Sequence, residues 1–252
     1  MMMRQEIVFG PIRSRRLGSS LGINLLPEKG KLCNFDCIYC ECGWNADGKG
    51  DRRLPNASEL RSALEAKLQS CREQGTPIDS ITFAGDGEPT LNPDFPEIID
   101  ITLSLRDNYY PDAKVSVLSN ATMVHKDEVF LALRKVDNPI MKIDAPTTEA
   151  AKLVNHPYPG YKVESVVEAL KRFDGDFVLQ TMFLKCPEFD SSDPGLLDAW
   201  MDIVRALHPR EVMVYTIDRE TPRKDLEKFS EEEMREMVRP LIEEGFSIQI
   251  KG

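Results

Sequence analysis

Six times in 252 residues a short apolar stretch is followed by a longer amphipathic one, and this alternation constrains the fold more than any other feature. The strand-like stretches are Gly22–Leu26, Ser80–Ala84, Lys114–Ser119, Ile140–Ala145, Phe177–Leu184 and Glu211–Ile217. Most are rich in β-branched residues, as strands buried on both faces of a sheet are. The helix-like stretches are Ser58–Gln74, Phe95–Asn108, Lys126–Lys135, Val163–Phe173, Pro194–Leu207 and Glu231–Glu244, and Phe246–Ile250 has the pattern of one more strand. Asn56 and Ser58 mark the start of the first helix, and Ser230 with Glu233 three residues later makes a capping box for the last. Strands alternating with helices in this way predict an α/β fold, its parallel sheet curled into a partial (β/α)6 barrel with right-handed crossovers. No linker or low-complexity tract interrupts the pattern, so a single domain over residues 1–252 is expected.

In such a fold chemistry gathers on the loops that leave the C-terminal ends of the strands. The unusual residues of this chain sit there. A cysteine cluster follows the first strand, Gly85–Thr90 the second and Ser119–Thr122 the third. Asp144 ends the fourth, Cys186 lies just past the fifth, and Asp218–Arg219 ends the sixth.

Four of the six cysteines, Cys33, Cys37, Cys40 and Cys42, fall within ten residues, apart from Cys71 and Cys186. A disulfide framework is not spaced like this, and metal or redox chemistry is the better reading. The spacing C-x3-C-x2-C over Cys33, Cys37 and Cys40 lets three thiolates hold three irons of a [4Fe–4S] cluster and leaves one iron open. A zinc site would need Cys42 as a fourth ligand, and the one residue between it and Cys40 is too short for an easy tetrahedral chelate. A redox pair of Cys37 and Cys40 leaves Cys33 without a role.

With an aromatic residue, Tyr39, just before the third cysteine, this loop resembles that of the radical S-adenosylmethionine (radical SAM) superfamily, whose fold is the partial barrel predicted above. The resemblance implies two cofactors, one [4Fe–4S] cluster on Cys33, Cys37 and Cys40 and SAM on its open iron, with Tyr39 beside the adenine. The segment Thr82–Leu91 is similar to the superfamily's GGE-P segment, which implies that Gly85, Asp86, Gly87 and Glu88 hold the SAM amino group. Asp86 departs from the glycine of the common motif. Ser119 and Asn120 resemble the ribose-binding segment, and Lys142 and Asp144 the polar pair that reaches SAM. Lys142 and Asp144 share one side of a strand and, in an apolar stretch, need a polar partner. Gln180 is a candidate of the same kind.

The stretch Phe9–Gly18, running into Gly22–Pro27, is similar to the branch containing the wyosine-base (tRNA) synthases and molybdenum-cofactor cyclases. Arg13, Arg15 and Arg16 there would grip a substrate phosphate or carboxylate, or form a solvated basic loop. No cysteine precedes Cys33 and none follows Cys186. One cluster and no auxiliary-cluster extension are therefore expected.

The implied function is reductive cleavage of SAM to a 5′-deoxyadenosyl radical that acts on an unidentified substrate. An activase of glycyl-radical enzymes and a tRNA-base-modifying enzyme are alternatives within the class. A non-catalytic metal-binding protein that keeps the fold is an alternative outside it. Catalytic candidates are Cys186, as a hydrogen-atom donor or acceptor, and Arg219, as a substrate salt bridge. Cys71 and His156 read as structural. The implied partners are a flavodoxin- or ferredoxin-like electron donor and a substrate that is a small anionic molecule, an RNA base or a partner protein.

Charge bears on these choices. The net charge is −10, which argues against a dedicated nucleic-acid scaffold. Residues 1–53 run against that balance, with nine Lys/Arg to six Asp/Glu. No membrane span and no leader-like apolar stretch stands out, so a cytoplasmic protein is expected.

Overall fold

A computed structural model describes residues 6–14, 17–27, 30–47 and 52–252; Arg15 and Arg16 lie outside the described residues. The chain falls into two compact units. One comprises Met1–Cys33, Asn45–Ser119 and His125–Pro139, and the other Asn34–Trp44, Asn120–Val124 and Ile140–Gly252.

The first unit opens with β1 (Val8–Ser14), antiparallel to β2 (Gly18–Ile23). There follow α1 (Ala57–Glu73), β3 (Ser80–Phe83), α2 (Phe95–Tyr109), β4 (Lys114–Ser119) and α3 (Asp127–Leu133). The strand β5 (Asn138–Lys142) begins in this unit and finishes in the next. Strand order here is β1-β2-β3-β4, with β2, β3 and β4 parallel. The capping box of α1 is complete: Asn56 Oδ1 accepts the Glu59 N–H at 2.9 Å, and Glu59 Oε2 accepts the Asn56 N–H at 3.0 Å. Leu60, Leu64, Leu68 and Cys71 then line one buried stripe of the helix. Each such aliphatic side chain contributes about 1.5–3 kcal/mol on burial.

Two expectations are corrected in this unit. The strand predicted at Gly22–Leu26 runs from Gly18 to Ile23, because Asn24 Oδ1 takes the Leu26 N–H at 3.2 Å and turns the chain. The strands are also not apolar on both faces. Ile81 and Phe83 point one way, while Ser80 and Thr82 point the other. The hydroxyls join a buried ladder: Ser20 to Thr82 at 2.8 Å, Ser80 to Ser116 at 3.2 Å, and Asn138 to Ser116 at 3.1 Å.

The second unit continues with α4 (Thr148–Val154), α5 (Val163–Leu170), β6 (Val178–Met182), β7 (Leu184–Cys186) and β8 (Phe189–Asp190). It closes with α6 (Pro194–Leu207), β9 (Glu211–Tyr215), β10 (Glu227–Lys228), α7 (Glu231–Glu243) and β11 (Ile248–Lys251). Strands β5, β6, β9 and β11 are parallel neighbours in that order. The expected final strand is present as β11, and the Ser230–Glu233 capping box starts α7.

The stretch Phe177–Leu184 breaks after Met182. Leu184 gives its N–H to Ser191 Oγ at 3.0 Å and enters a small antiparallel sheet, β10-β7-β8, which also contains Cys186. Helix α4 was not anticipated. It is seven residues long and is capped by Thr147, which accepts the Ala150 N–H at 3.1 Å. Among the described residues no helix is long and apolar enough to cross a membrane.

Candidate functional site

In the first unit the Gly85–Glu88 segment leaves β3 and pairs with the residues just ahead of the cysteine loop. The Leu32 N–H donates to Asp86 O at 3.0 Å, and the Glu88 N–H donates to Leu32 O at 3.1 Å. Gly87 makes this possible. Its φ is +146°, and a Cβ there would lie 1.9 Å from the Leu32 carbonyl oxygen. A Cβ on Gly85 would meet Asn24 Oδ1 at 2.1 Å. Both glycines thus admit neighbouring protein atoms rather than simply opening space for a ligand.

Asp86, the departure from the common motif, is 3% exposed, and its Oδ2 accepts from Asn24 Nδ2 at 3.2 Å. Glu88 is equally buried. Its Oε1 accepts from the Thr90 N–H at 3.1 Å, the Thr90 hydroxyl at 2.5 Å and the Ser119 hydroxyl at 2.9 Å. Ser119, at the end of β4, therefore orients the glutamate. Cys33 is clasped by Asn45, whose Oδ1 accepts the Cys33 N–H at 3.3 Å while its Nδ2 donates to Cys33 O at 3.1 Å.

In the second unit the loop carrying Cys37, Cys40 and Cys42 is pinned by its backbone to the end of α4. The Asp36 N–H donates to Asn155 O at 2.9 Å and the Ile38 N–H to Val154 O at 3.0 Å. Asn120 Nδ2 donates to Asn34 Oδ1 at 2.6 Å, and Asn34 Nδ2 passes the bond to Thr122 at 2.6 Å. Asn120 thus steadies the residue that follows Cys33.

Behind the loop lies a buried polar set. Asn155 Nδ2 donates to Asp144 Oδ2 at 2.6 Å, Tyr39 Oη at 3.3 Å and Cys37 Sγ at 3.4 Å. The Tyr39 hydroxyl donates to Asp144 Oδ2, and Asp144 Oδ1 accepts the Met182 N–H at 2.9 Å. Lys142 Nζ donates to Tyr215 Oη at 2.6 Å, sits 4.5 Å from the Tyr39 ring centre and lies 3.9 Å from Asp144 Oδ2. The ammonium and carboxylate compensate each other, which a buried charge requires.

Burial pushes the Cys37 thiol up to about 11, against the lowering field of Lys142. Burial and the neighbouring Asp144 carboxylate raise the Tyr39 phenol as well. For Lys142, burial works against the charge, but Asp144 and Tyr215 outweigh it and hold the amine above its ordinary value.

The remaining candidates sit elsewhere. Gln180 is 3% exposed, and its Nε2 has no hydrogen-bond partner among the described residues. Arg219 pairs with Glu41 of the cysteine loop at 2.8 Å, both side chains exposed. Cys186 is buried in the small sheet, and that burial raises its thiol. Arg13 is exposed on β1. His156 has φ +40° and lies parallel to Trp44, ring centres 6.0 Å apart, consistent with a turn histidine. The sequence reading missed Asn155, Asn45 and Tyr215; the only local signal was that Asn155 precedes a His-Pro helix stop.

The donor set fits an iron–sulfur cluster. Cys33, Cys37 and Cys40 are joined in no disulfide among the described residues, each is half-buried, and Cys37 already accepts an N–H···S bond. Among the described residues no three Cys, His, Asp or Glu side chains are gathered as one metal ion would need. A cubane does not ask for that convergence, since each thiolate binds its own iron.

The family model described as the Radical SAM superfamily matches residues 28–185, and the chain belongs to that superfamily. Its α/β fold is shared with Streptococcus suis SuiB bound to S-adenosylmethionine, at a TM-score of 0.66 and 14% identity over 92% of this chain and 50% of that one. It is also shared with archaeal TYW1, at a TM-score of 0.57 and 12% identity over 89% of this chain and 71% of that one. The expected superfamily and fold class therefore hold. Within the superfamily, a UPF0026 protein of Helicobacter pylori is 31% identical over 232 residues, 90% of this chain and 71% of its own length, so the chain is also of the UPF0026 family.

Proposed function

We propose that this protein is a cytoplasmic radical SAM oxidoreductase that cleaves SAM reductively at a single [4Fe–4S] cluster and abstracts hydrogen from a substrate. Cys33, Cys37 and Cys40 would hold the cluster. When bound, the cluster and SAM supply the electron and the 5′-deoxyadenosyl radical; the protein binds, orients and shields. The observation that supports the reading is the Cys37–Asn155–Asp144 set, in which the thiol of Cys37 accepts from an amide that also donates to the carboxylate of a compensated buried ion pair.

The other residues take roles their chemistry suits. Glu88, fixed by Ser119 and Thr90, presents a carboxylate to the SAM ammonium. Lys142 offers a cation to a carboxylate, Tyr39 and Asp144 keep it oriented, and Asn120 with Asn34 shapes the loop. Superfamily membership and the SAM-bound SuiB structure support SAM as the ligand. A flavodoxin- or ferredoxin-like protein would deliver the electron. The substrate would be a partner protein, an RNA base or a small anionic molecule.

The test is anaerobic reconstitution with iron and sulfide, followed by dithionite and SAM. About four irons per chain and release of 5′-deoxyadenosine are expected, and Cys33→Ala should abolish both. A protein that binds one zinc tightly and never cleaves SAM would refute the reading.

A further inference from the structure

In the second unit, one face of the β5-β6-β9-β11 sheet carries two glutamines, Gln180 buried and Gln249 half-buried, each with one buried amide atom that makes no hydrogen bond among the described residues. Register sets Lys142, Gln180, Met213 and Gln249 side by side across the four strands. They share a face because laterally paired residues of a parallel sheet point the same way. That face is turned away from α6: Thr181, the next residue along β6, points the other way and accepts from Trp200 Nε1 of α6 at 3.0 Å.

On this face Gln180 Nε2, a donor, and Gln249 Oε1, an acceptor, are buried without a hydrogen-bond partner among the described residues. They flank Met213 from opposite sides, two strand spacings or roughly 10 Å apart at the backbone. Buried amides left unsatisfied cost stability, and native proteins contain few of them. At the buried position 180, a sequence shaped by stability alone would have an aliphatic residue.

We infer that this face binds the peptide-type amide group of a polypeptide substrate, its C=O accepting from Gln180 Nε2 and its N–H donating to Gln249 Oε1 across Met213. In a trans amide the C=O and N–H point in opposite directions, which suits one donor and one acceptor on either side of a central residue. A nucleobase edge presents both groups on the same side. Met213 is an adaptable apolar floor for such a group, and the net charge of −10 disfavours a polyanionic RNA. The inference deepens the enzymatic reading by naming the substrate class, and it rests on that reading. Its test needs neither iron nor SAM, so the two fail separately.

The experiment is saturation-transfer NMR on the purified full chain with three probes: N-methylacetamide, which has both C=O and N–H, N,N-dimethylacetamide, which lacks the N–H, and uridine. Melting curves of Gln180→Leu and Gln249→Leu accompany it. N-methylacetamide is expected to bind at least about tenfold more tightly than its dimethyl analogue, the worth of one hydrogen bond to a buried partner. Each leucine variant should lose that binding and melt higher than the unmodified protein. A structural role for the amides would instead lower the melting temperature. The proposal is overturned if the two amides bind equally, if none of the probes binds, if uridine alone binds, or if both leucine variants melt lower.

Discussion

Asn155 Nδ2 stands 3.4 Å from Cys37 Sγ and donates from the same nitrogen to Asp144 Oδ2 at 2.6 Å. One amide therefore couples a thiol of the cysteine loop to the carboxylate that follows β5. The Asn155 carbonyl also accepts the Asp36 N–H, so the residue positions the loop by backbone and side chain together. Asn155 is 2% exposed, and water does not compete for these bonds.

An N–H···S bond stabilises the more negative, reduced state of a cluster, and hydrogen bonds to the sulfurs are one of the terms that set its potential. Asn155→Leu should therefore make the potential more negative. A bond worth about 1 kcal/mol corresponds to about 40 mV for one electron. Redox titration of the reconstituted protein, followed by electron paramagnetic resonance, reads this directly. An unchanged potential with an intact cluster would remove Asn155 from the electronic role.

Gly87 and Gly75 both have positive φ but differ in surroundings: a Cβ on Gly87 strikes the Leu32 carbonyl, while one on Gly75 meets nothing within 4 Å. Gly75→Ala should cost about 1 kcal/mol from backbone strain alone. Gly87→Ala should cost more than that, and it should also loosen Leu32 and the start of the cysteine loop. Paired thermal melts and iron-retention assays distinguish them: both variants melt lower, but only Gly87→Ala should lose iron.

Stability should fall in acid through Asp137. Burial alone would raise its carboxyl, but the Val115 N–H at 2.9 Å, Arg106 at 2.8 Å and Lys114 at 3.3 Å outweigh this and hold it below its ordinary 3.8. With the folded value depressed, the unfolded chain takes up the proton first. The stabilisation is complete above the unfolded value and is lost as pH falls from there through the folded one. Asp137→Asn should be less stable at neutral pH and show a flatter acid limb in pH-dependent melts. Parallel acid limbs would count against the assignment.

What the sequence could reveal follows the range of the interactions. The Asn56 and Ser230 helix starts are contained within four residues, and both are present. The cysteine loop is legible for the same reason, since its chemistry lies in eight consecutive positions. Asn155 is not, because Cys37 and Tyr39 lie 118 and 116 residues away, and nothing near Asn155 announces them. Helix α4 is short enough that its periodicity is weak. The break after Met182 depends on Ser191, seven residues beyond Leu184, which no strand propensity reports. Lys142 and Asp144 were legible as a polar pair in an apolar strand, whereas Tyr215, which holds Lys142, looked like an ordinary strand aromatic.

Glu88 offers the sharpest separation of binding from architecture. Its Oε1 gathers three donors, from Thr90 and Ser119, so the carboxylate is fixed before any ligand arrives. Glu88→Gln keeps the shape and removes the charge. Lost pairing with an ammonium costs about 1.5–3 kcal/mol, so the dissociation constant for SAM should rise about tenfold or more. Ser119→Ala leaves the charge but frees the side chain to rotate, and should weaken SAM less while lowering thermal stability. Equilibrium binding of SAM to both reconstituted variants at matched iron content makes the comparison. If Glu88→Gln binds SAM as the unmodified protein does, the buried carboxylate belongs to the fold alone, and the ammonium must be held by another group.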